Sequence, residues 1–448
     1  MPTRELLCST RAKRTRRKRT GTARLRARTC ACNAAPGARE DSHAASDRAV
    51  RRSAILRAIS TLRFHDVTRR AFLIALLLIA ANLRPSLTGV GPLLDTLRQD
   101  LALSATAAGW LGSLPVLIFA AFAPLARLAR QLGAERLLLV GLLVLIAGIL
   151  VRSQAHVATL FGGTVMLATG IAVINVLLPV IIKEHYPERV PALTTAYATV
   201  MGGFAALASG VAVPLAEWLP GGWQSSLASW ALPATVALLF WLPHARAGQA
   251  RHALAHESAP HPPWRTLVAW QVTGFMGMQS TVFYVAVSWF PAILRENGYS
   301  PVAAGWLLTL YQVAALIAGL LVPQLIRRFR DQRGLAFFTS SLSALGTLGI
   351  LLAPEGAVAW IVLLGCGSGP SLILALSFMG LRAHSQQAAA ALSLMAQAIG
   401  YLVAALGPIV FGFIHDQTGG WTFALVALIG VTMVQALCGV GAGRSIKI

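Results

Sequence analysis

From Ala71 to the C-terminus the chain is a succession of apolar runs, each about 20 residues long, separated by short polar turns. Few folds accommodate that pattern. Twenty helical residues rise about 30 Å, the thickness of a bilayer's hydrocarbon core. In hydrocarbon every backbone N–H and C=O must be paired internally, so each run has to be a helix. The runs fall near 71–93, 105–126, 136–152, 158–182, 192–215, 224–242, 267–293, 302–324, 334–353, 357–380, 388–412 and 421–441. The expected fold is therefore all-α and integral to a membrane, with twelve transmembrane helices. Composition agrees: only 12% of residues are charged, about half the share a soluble domain needs to cover its surface.

The net charge of +22 is concentrated at one end, with nineteen of the 38 Lys and Arg in residues 1–70. This leader (1–69) has no apolar period and reads as disordered. It fits an RNA- or acidic-lipid-binding arm, a transit peptide, or translated upstream sequence whose true start is a codon such as that of Val50 or Val67. Its Arg/Ala bias and lack of an internal Met favour the last. Beyond it, with the N-terminus inside, the inner segments hold fifteen basic residues, Arg127, Arg136, Lys183 and Arg327 among them, and the outer loops only Arg98, Arg152 and Arg295. That bias predicts two cytoplasmic termini in a bacterial inner membrane. Cys366 and Cys438 lie in apolar runs and read as packing residues; no metal or disulfide framework is visible.

The chain also repeats itself. Ala107-Ala108-Gly109-Trp110-Leu111 recurs as Ala303-Ala304-Gly305-Trp306-Leu307, and Gly221-Gly222-Trp223 as Gly419-Gly420-Trp421, at offsets of 196 and 198 residues. Each pair opens the second or the sixth helix of a half. The expected organisation is thus two parallel six-helix bundles, 70–243 and 266–448, joined by a Pro- and His-containing cytoplasmic linker at 244–265. The linker histidines (His244, His252, His256, His261) suit a solvated linker better than a metal site.

The first helix reads Asn82-Leu83-Arg84-Pro85-Ser86-Leu87-Thr88-Gly89-Val90-Gly91-Pro92, and the fourth Gly170-Ile171-Ala172-Val173-Ile174-Asn175-Val176-Leu177-Leu178-Pro179. With Met395–Tyr401 and Gly412–Asp416, these resemble the cyanate/2-nitroimidazole permease branch of the major facilitator superfamily, over roughly residues 70–442. The resemblance implies a secondary transporter working by alternating access, with a small-molecule substrate, no cofactor and no enzymatic step. One departure is Arg130, which stands where the superfamily's loop between helices two and three carries Asp, ahead of Gly133 and Arg136. The loop's usual charge relay therefore does not carry over.

One charge stands out within the spans. Arg84 has no carboxylate at comparable depth, and such residues normally face a cavity or a partner. Pro85 cannot donate its backbone hydrogen bond and loosens the helix there. Arg84 is expected to draw an anionic or strongly hydrogen-bonding group into a central cavity, beside Ser86 and Thr88; the competing reading is a structural Arg pairing with carbonyls at the kink. Asn175, Gln279, Tyr284, Tyr311, Gln312, Gln397 and Tyr401 complete the expected polar lining, with Trp289 as an apolar wall. Each alone also suits an interhelical hydrogen bond. Gly202, Gly203 and Gly210 on helix five and Gly400 and Pro408 on helix eleven read as contact faces between the halves. The missing intramembrane carboxylate argues against a carboxylate proton relay. It leaves proton coupling through the substrate's own titration, facilitated diffusion, or a role for His384. Efflux of neutral or aromatic compounds is the alternative transporter reading, and an integral-membrane enzyme a distant one. No P-loop is present for direct ATP drive. No metal and no nucleic-acid partner is expected, and one chain can hold a complete pathway as a monomer.

Overall fold

The computed structural model of the protein describes residues 71–122, 133–247, 263–329 and 331–446. The leader, His252, His256 and His261 of the linker, and the loop bearing Arg127 and Arg130 lie outside them. Every regular element among the described residues is a helix. They are α1 (Ala71–Asp100, interrupted), α2 (Ala105–Phe122), α3 (Ala134–Arg152), α4 (Val157–His185), α5 (Val190–Trp218), α6 (Gly222–Ser229 and Ala231–Ala247), α7 (Leu267–Glu296), α8 (Pro301–Arg328), α9 (Arg333–Leu352), α10 (Ala357–Leu381), α11 (Gln386–Thr418) and α12 (Thr422–Ala442). Eleven are long and apolar enough to cross a membrane, and α2 is the shorter twelfth. The spans expected from the sequence are all present, but α1 runs past 93 to Asp100 and α6 is jointed at Trp230.

Within the first half α3 packs on α4 and α6, and α1 on α5; within the second α8 packs on α10, and α7 on α11 and α12. The halves meet where α2 crosses α11 and where α5 crosses α8. Because the repeat maps α2 onto α8 and α5 onto α11, these are one contact made twice. The repeated pentapeptide explains it. A Cβ at Gly109 would run into the Pro408 carbonyl of α11, and one at Gly305 into the Ser209 carbonyl of α5. Each copy therefore carries the one residue that lets two backbones touch. The adjacent Trp110 and Trp306 are both more than 40% exposed, as suits side chains at a bilayer interface. Gly210 meets Trp306 and Thr309 as a contact face between the halves should. Gly400, however, packs on Gly277 of its own half, and a Cβ at Gly203 would meet no neighbouring atom.

The two ends of the molecule differ. On the distal face, carrying loops 101–104, 219–221, 297–300 and 419–421, a single buried core runs through both halves, from Leu93, Leu97 and Leu111 to Trp289, Leu308 and Phe411. On the terminal face, which bears both ends of the described chain, the core divides into a cluster around Ile79, Ile174 and Trp241 and another around Phe275, Phe378 and Met395. Cross-half polar contacts reinforce the distal closure. Asp416 of α11 accepts from the backbone N–H groups of Ala105 (2.9 Å) and Thr106 (2.7 Å), capping α2. Arg295 of α7 pairs with Asp95 of α1 at 3.1 Å. The molecule is closed distally and parted at the terminal face.

Candidate functional site

The site begins with the break in α1. Pro85 has no N–H, so the helix of residues 71–81 loses a hydrogen bond there and is weakened at this point. The chain turns at 82–84 and restarts at Pro85, the first residue of a short helix, Pro85–Thr88. Asn82 heals the end of the first segment, donating from Nδ2 to the carbonyls of Leu78 (2.7 Å) and Pro233 (3.2 Å). Beyond Thr88, Gly91–Leu93 forms one 3-10 turn that packs on α5, α7 and α8. The first helix is thus anchored in one half below the break and reaches the other half above it.

Arg84 stands at the break, half-buried though deep in the molecule. Its guanidinium stands close to the Tyr284 hydroxyl and lies 5.7 Å from the centre of the Phe283 ring. Tyr284 packs with Tyr401 of α11, Val116 of α2 and Ala404. Three of the residues singled out in the sequence therefore converge across the two halves. The small cavity beside them, about 30 Å³, is lined by Arg84, Ser86, Thr88, Thr164, Tyr284 and Ser288 among others, and no carboxylate lines it.

The other expected residues separate. Asn175 is exposed on α4; it lies eleven residues, close to three turns, beyond Thr164 of the cavity and so continues the same helix face toward the parted end. Gln397 is half-buried and donates to Ser393 Oγ at 2.7 Å, one turn from Tyr401. Gln279 is buried and donates to Met276 O and Ser280 Oγ within its own helix. Tyr311, fully buried, donates to Ser368 Oγ of α10 at 2.8 Å. Gln312 donates to Ser209 Oγ of α5 at 2.7 Å and ties the halves together. Trp289 is no cavity wall: it is buried, donating from Nε1 to Pro408 O and packed on Trp421. Of these, Tyr311, Gln312 and Trp289 hold helices to one another.

The residue that sequence reasoning missed is Arg152. Its position beside Ser153 and Gln154 suggests an aqueous loop, yet it is 1% exposed. Instead of reaching for distal water it turns inward, donates from Nη1 to the Ser86 carbonyl at 2.5 Å, and lines the same cavity as Arg84. Its Nε and Nη2 have no partner.

A profile of the Major Facilitator Superfamily matches residues 71–408. The chain is 46% identical to the 2-nitroimidazole transporter of Escherichia coli (strain K12) over 385 residues, 85% of this chain and 97% of the relative. It is 30% identical to the cyanate transport protein CynX of the same strain over 382 residues, 81% of this chain and 95% of the relative. Among solved structures, a bacterial homolog of the human lysosomal transporter Spinster, inward-facing and occupied, superposes with a TM-score of 0.71 at 16% identity, covering 84% of this chain and 97% of that one. The duplicated six-helix halves, the paired α2–α11 and α5–α8 crossings and these relatives have one reading: the chain is a secondary transporter of the major facilitator superfamily, in the branch that holds the 2-nitroimidazole and cyanate transporters.

Proposed function

We propose that this transporter carries a compact anion, or a small molecule presenting oxygens of high negative charge density, with Arg84 as its anchor. The observation that carries the reading is a guanidinium at the break of α1, half-buried between the two halves, with a phenol close by and no carboxylate beside it among the described residues. A guanidinium offers a planar fork of donors suited to carboxylate-like groups, and a buried cation without a counter-charge is best satisfied by an anionic ligand. The names of two relatives fit one chemistry, since cyanate is an anion and a nitro group carries its negative charge on two oxygens. The ligand class is accordingly cyanate-like, nitroimidazole-like or a small organic acid. Asn175, Gln397 and Tyr401 extend the polar path toward the parted face, while Gln279, Tyr311 and Gln312 support it from behind.

Transport proceeds by alternating access between bundles 70–243 and 266–448, linked by 244–265, in a single chain. The parted face is the cytoplasmic one by the charge bias of the loops, so the state described here opens inward. Since no carboxylate lines the cavity, a coupled proton would travel with the substrate; His384 is exposed on the loop after α10, away from Arg84.

The test is uptake of labelled cyanate, a nitroimidazole and small carboxylates into proteoliposomes, with wild type beside Arg84→Lys and Arg84→Ala at matched insertion. Uptake of an anion is expected to fall at least about tenfold in Arg84→Ala and to be only partly retained in Arg84→Lys, which keeps the charge but not the fork. Full activity of Arg84→Ala sinks the reading. It would favour instead neutral or aromatic cargo resting on the Phe283 and Tyr284 rings, with Arg84 structural.

A further inference from the structure

Arg152 is hard to explain as a structural residue. An arginine in the last turn of a helix beside an aqueous face normally runs its charge out to water, because an isolated buried cation is penalised by several kcal/mol. Here the side chain runs the other way. It reaches the Ser86 carbonyl just past the break in α1 and leaves two of its nitrogens buried and unpaired. No acidic side chain pairs with it among the described residues. Both Arg152 and Arg84 face one enclosed space with Ser86, Thr88, Thr164 and Ser288, hemmed by Val90, Leu111, Leu160 and Val287. Thr88 and Thr164 spend their hydroxyl protons on backbone carbonyls, so the uncommitted donors of the lining are the two guanidinium groups and the Ser86 and Ser288 hydroxyls.

We propose that the pocket behind Arg84 is an anion subsite, in which Arg152 and Arg84 together hold one compact monovalent anion of halide or linear pseudohalide size. Charge sets the sign of the ligand: two cations and no carboxylate line the space. Size sets its class. About 30 Å³ admits a single ion or the end of a narrow linear group and excludes an aromatic ring or a branched acid. The apolar part of the lining selects weakly hydrated anions over strongly hydrated ones. The proposal deepens the reading of Arg84 as a ligand-facing residue, since Arg84 itself lines the pocket. The ion has two possible sources, the transported anion itself or chloride from solution, and the chemistry of the pocket is the same for both.

The full-length protein, purified in gluconate, is titrated with chloride, bromide and cyanate while its thermal midpoint is followed. The expected result is a saturable rise with each small anion and none with further gluconate, weakened by about tenfold or more in Arg152→Gln. Should that variant not fold, bromide-soaked crystals of the wild type decide, through an anomalous peak between Arg84 and Arg152. No saturable rise, an undiminished rise in Arg152→Gln, or a pocket holding only water overturns the proposal. Proteoliposome uptake then separates the sources, and either outcome supports the subsite. Chloride that competes with cyanate marks the pocket as part of the substrate path; chloride that stimulates uptake in an Arg152-dependent way marks a co-ion. If Arg84→Ala transports normally while the Arg152-dependent titration persists, the subsite stands and the reading of Arg84 as substrate anchor falls.

Discussion

At the scale of single residues, the proposed function rests on cations that have no acidic partner among the described residues. Arg84 stands against the Tyr284 hydroxyl, a ready acceptor, and the Phe283 ring. Tyr284→Phe removes that acceptor while keeping the ring, and water from the cavity replaces it only in part. The KM for an anionic substrate is expected to change by roughly tenfold, on the order of 1.4 kcal/mol, with insertion unchanged, as measured by initial uptake rates. A KM equal to that of wild type would show that the phenol plays no part in holding the guanidinium. Arg84 was legible in the sequence because a charge inside an apolar run has few explanations. Arg152 was not, because the same residue type at the end of a run is ordinary; its inward turn depends on the Ser86 carbonyl, and only the folded break in α1 presents that group. The amides and phenols fell between these cases. Gln312 and Tyr401 are chemically equal candidates in the sequence, and what divides them is whether a neighbouring helix offers a partner, as Ser209 does to Gln312.

At the scale of helices, the repeated pentapeptide showed that α2 and α8 are equivalent, and the structure adds what they are equivalent for. Gly109→Ala and Gly305→Ala each place a methyl group where a carbonyl of the opposite half already sits. Both are expected to weaken distal closure, by about 1–3 kcal/mol apiece. Spin labels on Gln99 and Gln417, at the distal ends of the two halves, would report a longer-distance population in either variant. Distances unchanged from wild type would refute the shared role of the two glycines. Asp416→Asn is expected to act in the same direction by weakening the cap on α2, which Asp416 adds to the one that Ser104 gives α2 and Ser300 gives α8. The spans themselves were legible because hydrophobic length is dictated by the bilayer. The joint at Trp230 was not, since nothing in the apolar pattern of α6 marks it.

At the scale of the molecule, the direction of opening depends on the orientation that the loop charges propose. In a cysteine-free background, Gly298→Cys and Gly420→Cys should react with a membrane-impermeant thiol reagent added to intact cells, and Gly334→Cys should not. The reverse pattern would invert the topology and make the parted face an outer one. Whichever way the molecule is seated, the broken first helix has a mechanical meaning. Its lower segment belongs to the core around Ile79, while above the break Gly91 lies against the Val287 backbone of the other half. When the halves rock, the bend between those anchors has to change, and Arg84 occupies that bend. If Arg84 anchors the cargo as proposed, the cargo sits at the pivot of a lever, where a small ionic contact gains the longest mechanical reach. Pro85→Ala, which lets one rigid rod run through the pivot, is expected to slow turnover severalfold while leaving half-saturation nearly untouched.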